Sequence, residues 1–143
     1  MTDKMTKPLA VVILAAGMGT RMKSPLPKVM HRIAGLPMIN WLLNTVTTLS
    51  PDKIVVVTGP DMPHLEAAVS PHEFVTQVDR LGTGHAVQTA LPKLIDFDGD
   101  VLILLGDAPL MSKQTLENLI AAKDGAGLSV LGCLLYTSPS PRD

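Results

Sequence analysis

The chain has 143 residues, 46% of them apolar, and a formal net charge of −1; that suits one domain with an ordinary core and gives no sign of a nucleic-acid binder. Its longest apolar runs, Leu9 to Ala16 and Val101 to Leu105, are far shorter than a bilayer-spanning helix requires, so no membrane span is expected. Cys133 is the only cysteine, which excludes a disulfide framework or a thiolate metal cluster and fits a reducing cytoplasm.

In chain order, Lys4 and Lys7 ahead of Leu9 to Ala16 mimic a secretory signal, but cleavage there would remove a strand that leads directly into a glycine loop. Val11, Val12, Ile13 and Leu14 predict that buried strand. The loop LAAGMGTRMKSPLPK, Leu14 to Lys28, combines Gly17 and Gly19 with Arg21, Lys23 and Lys28, and Pro25 and Pro27 predict that Lys28 is carried on a stiff extended arm. No Asp or Glu occurs between Lys4 and Pro51, whereas Lys4, Lys7, Arg21, Lys23, Lys28 and Arg32 all fall there. A local anion site in a nearly neutral chain is the expectation.

Pro37 suits the first turn of a helix whose apolar face carries Ile39, Leu42, Leu43, Val46 and Leu49, with Trp41 at its edge and Ser50 and Pro51 as the stop. Next come a predicted strand over Ile54 to Val57, a short helix over Met62 to Val69, a strand over Phe74 to Val78 and a helix over Ala86 to Leu94. Val101 to Leu105 reads as a continuous apolar strand, Leu116 to Ala122 as a helix, and Leu128 to Leu131 as the start of another strand. This alternation predicts an α/β, Rossmann-like, mostly parallel sheet with helices on both faces and ligands beyond the carboxyl ends of the strands. From Cys133 onward, CLLYTSPSPRD breaks the pattern. It resembles translated adapter or vector sequence, with a native disordered terminus as the alternative, so residues 1–132 are taken as the domain and 133–143 as its tail.

Two phosphate loops fail at the same residue. GxGxxG would need a third glycine where Met22 stands, and GxxxxGK[ST] would need its second glycine there, with Pro25 and Pro27 obstructing the helix that should begin. The stretch LAAGMGTRMKSPLPKVMHRIAGLPM instead resembles the signature of sugar-1-phosphate nucleotidyltransferases, most closely the uridyltransferase branch that is fused to a glucosamine-1-phosphate acetyltransferase. Gln77 followed by LGTGHAV (Leu81 to Val87) and LLGDAPL (Leu104 to Leu110) match two further blocks in order and spacing.

The resemblance implies that N-acetylglucosamine-1-phosphate attacks the α-phosphorus of UTP in line, giving UDP-N-acetylglucosamine and pyrophosphate, with Mg²⁺ as cofactor. It implies nucleotide and phosphate contacts from Leu14, Ala15, Ala16, Gly17 and Gly19, a grip on the leaving pyrophosphate by Arg21, and neutralisation of the α-phosphate by Lys28. Lys23 is as readily a solvated cation. Asp107, after Gly106 at a strand end, is the implied Mg²⁺ ligand. Gln77 offers an amide to a uracil edge, Gly82 to Gly84 let the backbone approach the base, and Thr83 both touches the nucleotide and caps the following helix.

His31 and His85 are read as structural or peripheral, and His64 and His72 as surface turns. Leu105 departs from the tyrosine that close relatives often carry beside the site. An asparagine metal ligand, the sugar-binding half, and the hexapeptide-repeat β-helix with the acetyltransferase site and homotrimer contacts belong in the family to later sequence; little turnover is therefore expected of these residues alone. Rival readings are a transferase for another nucleotide or acceptor, and a non-catalytic nucleotide-binding fragment.

Overall fold

The computed structural model describes residues 7–132. Along them run β1 (Leu9–Leu14), β2 (Arg32–Ile33), β3 (Leu36–Pro37), α1 (Met38–Thr47), β4 (Lys53–Thr58), α2 (Pro63–Val69), β5 (Glu73–Thr76), α3 (Thr83–Ala90), β6 (Asp100–Leu105) and α4 (Lys113–Ala121), with short 3₁₀ segments at Thr20–Met22, Lys28–Met30 and Leu91–Leu94. Lys4 and the tail from Cys133 lie outside the described residues.

Ala10, Val11, Val12 and Ile13 are fully buried, so β1 shows no in–out alternation. Its place explains why: the sheet order is β5-β4-β1-β6, with Val12 opposite Val55 on one side and Ile103 on the other, every pairing parallel. A parallel sheet needs crossover connections, and these put helices on its faces. Ile39, Leu42, Leu43 and Val46 of α1, Leu65 and Val69 of α2, and Leu116 of α4 pack against Val11, Ile13, Ile54, Val56, Leu102 and Leu104. On the opposite face Ala86 and Ala90 of α3 meet Val12, Val55 and Val57. Each fully buried Val, Leu or Ile contributes roughly 1.5–3 kcal/mol relative to exposure. The α/β architecture with helices on both faces is as expected, and among the described residues no helix is long and apolar enough to cross a membrane.

Three local differences have physical causes. Leu128 to Leu131 forms no strand: Leu128, Val130 and Leu131 are exposed, and Ser129 Oγ donates instead to Leu119 O at 2.7 Å. β-propensity without a ladder partner does not make a strand. Pro37 lies just before α1 rather than inside it, paired with Arg32 across a small antiparallel hairpin that turns through Ala34 and Gly35, both at positive φ. Trp41 is tied to this hairpin, its Nε1 donating to Ile33 O at 2.8 Å. Finally, β5 ends at Thr76, and Val78 is exposed.

Candidate functional site

The strand order reverses at β1, since the chain builds outward through β4 and β5 and then returns across α3 to β6. Ligands of open α/β sheets bind at such a switch point, beyond the strand carboxyl ends. A cleft of about 310 Å³ opens there.

Beyond β1, Ala15 N donates to Val57 O and Gly106 N donates to Leu14 O, each at 2.8 Å, so Ala15 and Ala16 leave the sheet still buried. The chain then makes an excursion and returns, with Lys28 N donating to Gly17 O at 3.3 Å. Gly19 sits at φ +62, and a Cβ there would stand 2.9 Å from Lys28 Cβ. Glycine is thus required for both its conformation and the close return of the lysine arm. Pro27 is extended as expected, but Lys28 itself opens a 3₁₀ turn, Lys28–Met30, whose Val29 is buried. At the end of β6, a Cβ on Gly106 would come within 2.9 Å of Leu14 O and of Val29 Cγ1. That contact sets Asp107 against the glycine loop, and Lys28 Nζ meets Asp107 Oδ2 at 2.7 Å. Both side chains are about 40% exposed. Such half-exposed pairs contribute about 0–1 kcal/mol, so an incoming phosphate can take the lysine over.

The opposite wall comes from Gln77 and the start of α3. Gln77 is 3% exposed; its Nε2 donates to Gly82 O at 3.2 Å and lies 3.0 Å from His85 Nδ1. Its amide is therefore partly engaged by the Gly82 loop. Thr83 lines the cleft but does not cap: Gly82 occupies the cap position of α3, without a side-chain bond, because Thr83 is already the first helical residue. Thr83 is exposed at the cleft.

Nine anticipated residues thus line one cleft: Leu14, Ala15, Ala16, Gly17, Lys28, Gln77, Gly82, Thr83 and Asp107. Gly19 does not line it and packs against Lys28. Arg21 and Lys23 do not line it; they are exposed on and just after the Thr20–Met22 turn. Leu105 is a wall residue. Arg80 is a wall residue that sequence reasoning missed. It is the one Lys or Arg between Lys53 and Lys93, and it falls between Gln77 and the LGTGH block, a signal that was there to be read. Asp107 is the carboxylate at hand for a divalent cation, and among the described residues no group of three or more His, Cys, Asp or Glu gathers as a metal cage. A single carboxylate suits Mg²⁺, which keeps waters and shares phosphate oxygens.

Comparison with known proteins agrees with this geometry. Over 117 residues the chain is 60% identical to the bifunctional protein GlmU of Paramagnetospirillum magneticum, a match covering 82% of this chain and 26% of that protein. It is 53% identical over 133 residues to the bifunctional protein GlmU of Gluconobacter oxydans, covering 92% of this chain and 29% of that one. The chain thus spans under a third of the length of these curated relatives. Among solved structures, UTP-bound UGPase from Acinetobacter baumannii aligns with a TM-score of 0.70 at 21% identity, over 82% of this chain and 53% of that one. The manganese complex of Rv0371C from Mycobacterium tuberculosis aligns with a TM-score of 0.67 at 20% identity, over 82% and 60%. At such identities these two establish the fold alone. A model of the MobA-like NTP transferase domain matches residues 11–133, and the chain belongs to that family.

Proposed function

We propose that the cleft is the nucleotide half of a sugar-1-phosphate uridyltransferase site, transferring UMP from UTP to N-acetylglucosamine-1-phosphate with release of pyrophosphate. The observation that carries this is the convergence of the Leu14 to Gly17 backbone, Lys28 and Asp107 on one side of a single cleft with Gln77 and Gly82 on the other. Identity to the GlmU proteins supports the choice of nucleotide and sugar. Residues 1–132 then act as the amino-terminal part of the nucleotidyltransferase domain, and 133–143 as a tail outside it. The setting is cytoplasmic supply of an activated amino sugar for cell-wall synthesis. A homotrimer is expected only of the full-length family protein.

In this reading the sugar phosphate oxygen bonds to the α-phosphorus in line as the α–β phosphoanhydride breaks. Positioning and charge neutralisation carry such displacements, since negative charge stays spread over phosphate oxygens throughout. Lys28 leaves Asp107 and neutralises the α-phosphate, while the turn at Gly17 presents backbone to the phosphates. Arg21 reaches the leaving pyrophosphate only by movement of the exposed Thr20–Met22 turn over the cleft. Asp107 would hold Mg²⁺, which would supply neutralisation of phosphate oxygens. Gln77 and the Gly82 backbone receive the base.

Calorimetric titration with UTP, CTP and GTP tests this, with UTP expected to bind tightest. Equal affinities would remove the uridine assignment. Arg80 favours a second reading, because arginine is the side chain that pairs bidentately with the O6 and N7 acceptors of guanine. GTP binding tightest would select it.

A further inference from the structure

The charged side chains that line the cleft are those of Lys28, Arg80 and Asp107. Lys28 and Asp107 meet at 2.7 Å and offset each other, so the charge left standing on the empty cleft wall is the positive charge of Arg80. Among the described residues Arg80 enters no ion pair. An arginine without a carboxylate partner keeps its guanidinium donors available, and it cannot shed its charge near neutral pH.

The place of that charge is fixed from both ends. At the end of β5, Gln77 N donates to Thr58 O at 2.8 Å, and Leu81 N then donates to Asp79 O at 3.0 Å, closing a tight turn with Arg80 at its centre. From there the side chain reaches back to the end of β4. A Cβ on Gly59 would stand 3.1 Å from Arg80 Nη2 and 3.0 Å from Ala16 O, so the guanidinium and the carbonyl just before Gly17 flank one spot. Arg80 is exposed as a residue, yet its charged end lies beside the turn given above to the phosphates.

We propose that Arg80 is the residue that captures the phosphates of an incoming nucleotide, holding them while Lys28 is still paired with Asp107. This rests on the nucleotide-cleft reading above and deepens it. Lys28 attracts phosphate fully only once its contact with Asp107 is broken, whereas Arg80 has no such contact to break. Its field reaches about 10 Å at ordinary ionic strength, and its planar fork offers a phosphate a pair of parallel N–H bonds. Arg21 and Lys23 stand outside the cleft wall. Arg80 thus sets affinity for a nucleoside triphosphate whichever base it carries, and the choice of base is left to Gln77 and the Gly82 backbone.

Metal-free calorimetric titration of the 143-residue chain tests this with Arg80→Met, Arg80→Lys and, as a charge control on α4, Lys113→Met. Arg80→Met should weaken UTP, CTP and GTP by a common factor of about tenfold, the scale of one charge-assisted hydrogen bond, and flatten the salt dependence of UTP binding. Arg80→Lys should keep most of the affinity and Lys113→Met all of it. Inorganic tripolyphosphate should compete with UTP in the wild-type chain and compete less well in the methionine variant. Unchanged UTP affinity in Arg80→Met overturns the inference, as does a wild-type chain in which tripolyphosphate does not compete. A loss confined to one of the three nucleotides also overturns it, since that would put the guanidinium on the base. If the wild-type chain binds all three equally and Arg80→Met weakens all three alike, the uridine assignment fails and the role of Arg80 stands. A wild-type chain that binds none of them refutes both.

Discussion

Lys28 and Asp107 are the two residues on which the proposed chemistry turns, and each is the other's partner at 2.7 Å. In a protein extended to the length of its curated relatives, Lys28→Ala should lower turnover by about 2 to 4 kcal/mol of transition-state stabilisation, the range for one electrostatic donor, with UTP affinity falling less. Steady-state kinetics beside a binding isotherm separate the two, and wild-type turnover would reduce Lys28 to a solvated cation. Asp107→Asn keeps the shape and removes the charge, so activity should fall together with the dependence on Mg²⁺; an unchanged Mg²⁺ titration would reject the metal role. A third residue-scale prediction lies away from the cleft. Glu73 is held below its ordinary 4.5, first by the hydrogen bond from Lys93 and then by the charge of Lys53, whose ammonium groups stand 3.1 Å and 3.7 Å from its carboxylate. Because the folded value is lowered, the unfolded chain takes up the proton first on acidification. The contribution is complete above the ordinary glutamate range and is lost as pH falls through the lower folded value. Thermal unfolding followed from pH 6 downward should show a shallow, salt-sensitive decline that Glu73→Gln reduces, since the pair is exposed and screened.

At the scale of elements, the contrast between α3 and α4 shows how differently two helices can begin. Ser112 caps α4, its Oγ accepting from Thr115 N at 3.1 Å, whereas α3 starts at Gly82 with no side-chain cap and with its first turn open to the cleft. Ser112→Ala should therefore cost about 1 kcal/mol in denaturant unfolding and leave nucleotide affinity unchanged, because α4 supports the sheet through Leu116 and lines no part of the cleft. A loss of UTP binding in that variant would mean that α4 shapes the site. The central strands β1 and β4 were legible from their Val, Ile and Leu runs, since doubly buried strands need apolar residues at every position, whereas the equally apolar run of β6 is buried only at Leu102 and Leu104. The β2–β3 hairpin was not, because Arg32 to Pro37 has no alternation to mark it and its turn depends on positive φ at Ala34, which residue type alone does not signal. Leu128 to Leu131 erred the other way: its composition suits a strand, but a strand exists only against a partner.

For the whole molecule, β6 is an edge strand covered on one face alone. Leu102 and Leu104 are buried against the α4 side, while Val101, Ile103 and Leu105 on the other face are 45%, 46% and 51% exposed. An open parallel edge beside an apolar strip invites pairing between chains, so the 143-residue chain should associate with rising concentration, and Ile103→Lys should keep it monomeric in sedimentation velocity. A monomer at all concentrations without that substitution would show that the strip is covered in solution. Over the same residues, a pyrophosphate-release assay with UTP, N-acetylglucosamine-1-phosphate and Mg²⁺ is expected to give little turnover. The sequence by itself determined the strand and helix alternation, the parallel sheet and the glycine loop, because burial of the central strands and tight turns constrain residue type locally, and the family resemblance of its motifs pointed to nine of the cleft residues. Only the tertiary structure decided that Lys28 pairs with Asp107 across 79 positions of chain, that Arg80 joins the wall, and that the Gln77 amide meets His85 Nδ1 at 3.0 Å. The first is a contact between residues brought together by strand order, and the others depend on how the turn before α3 folds back on the end of β5, neither of which a local pattern of residues contains.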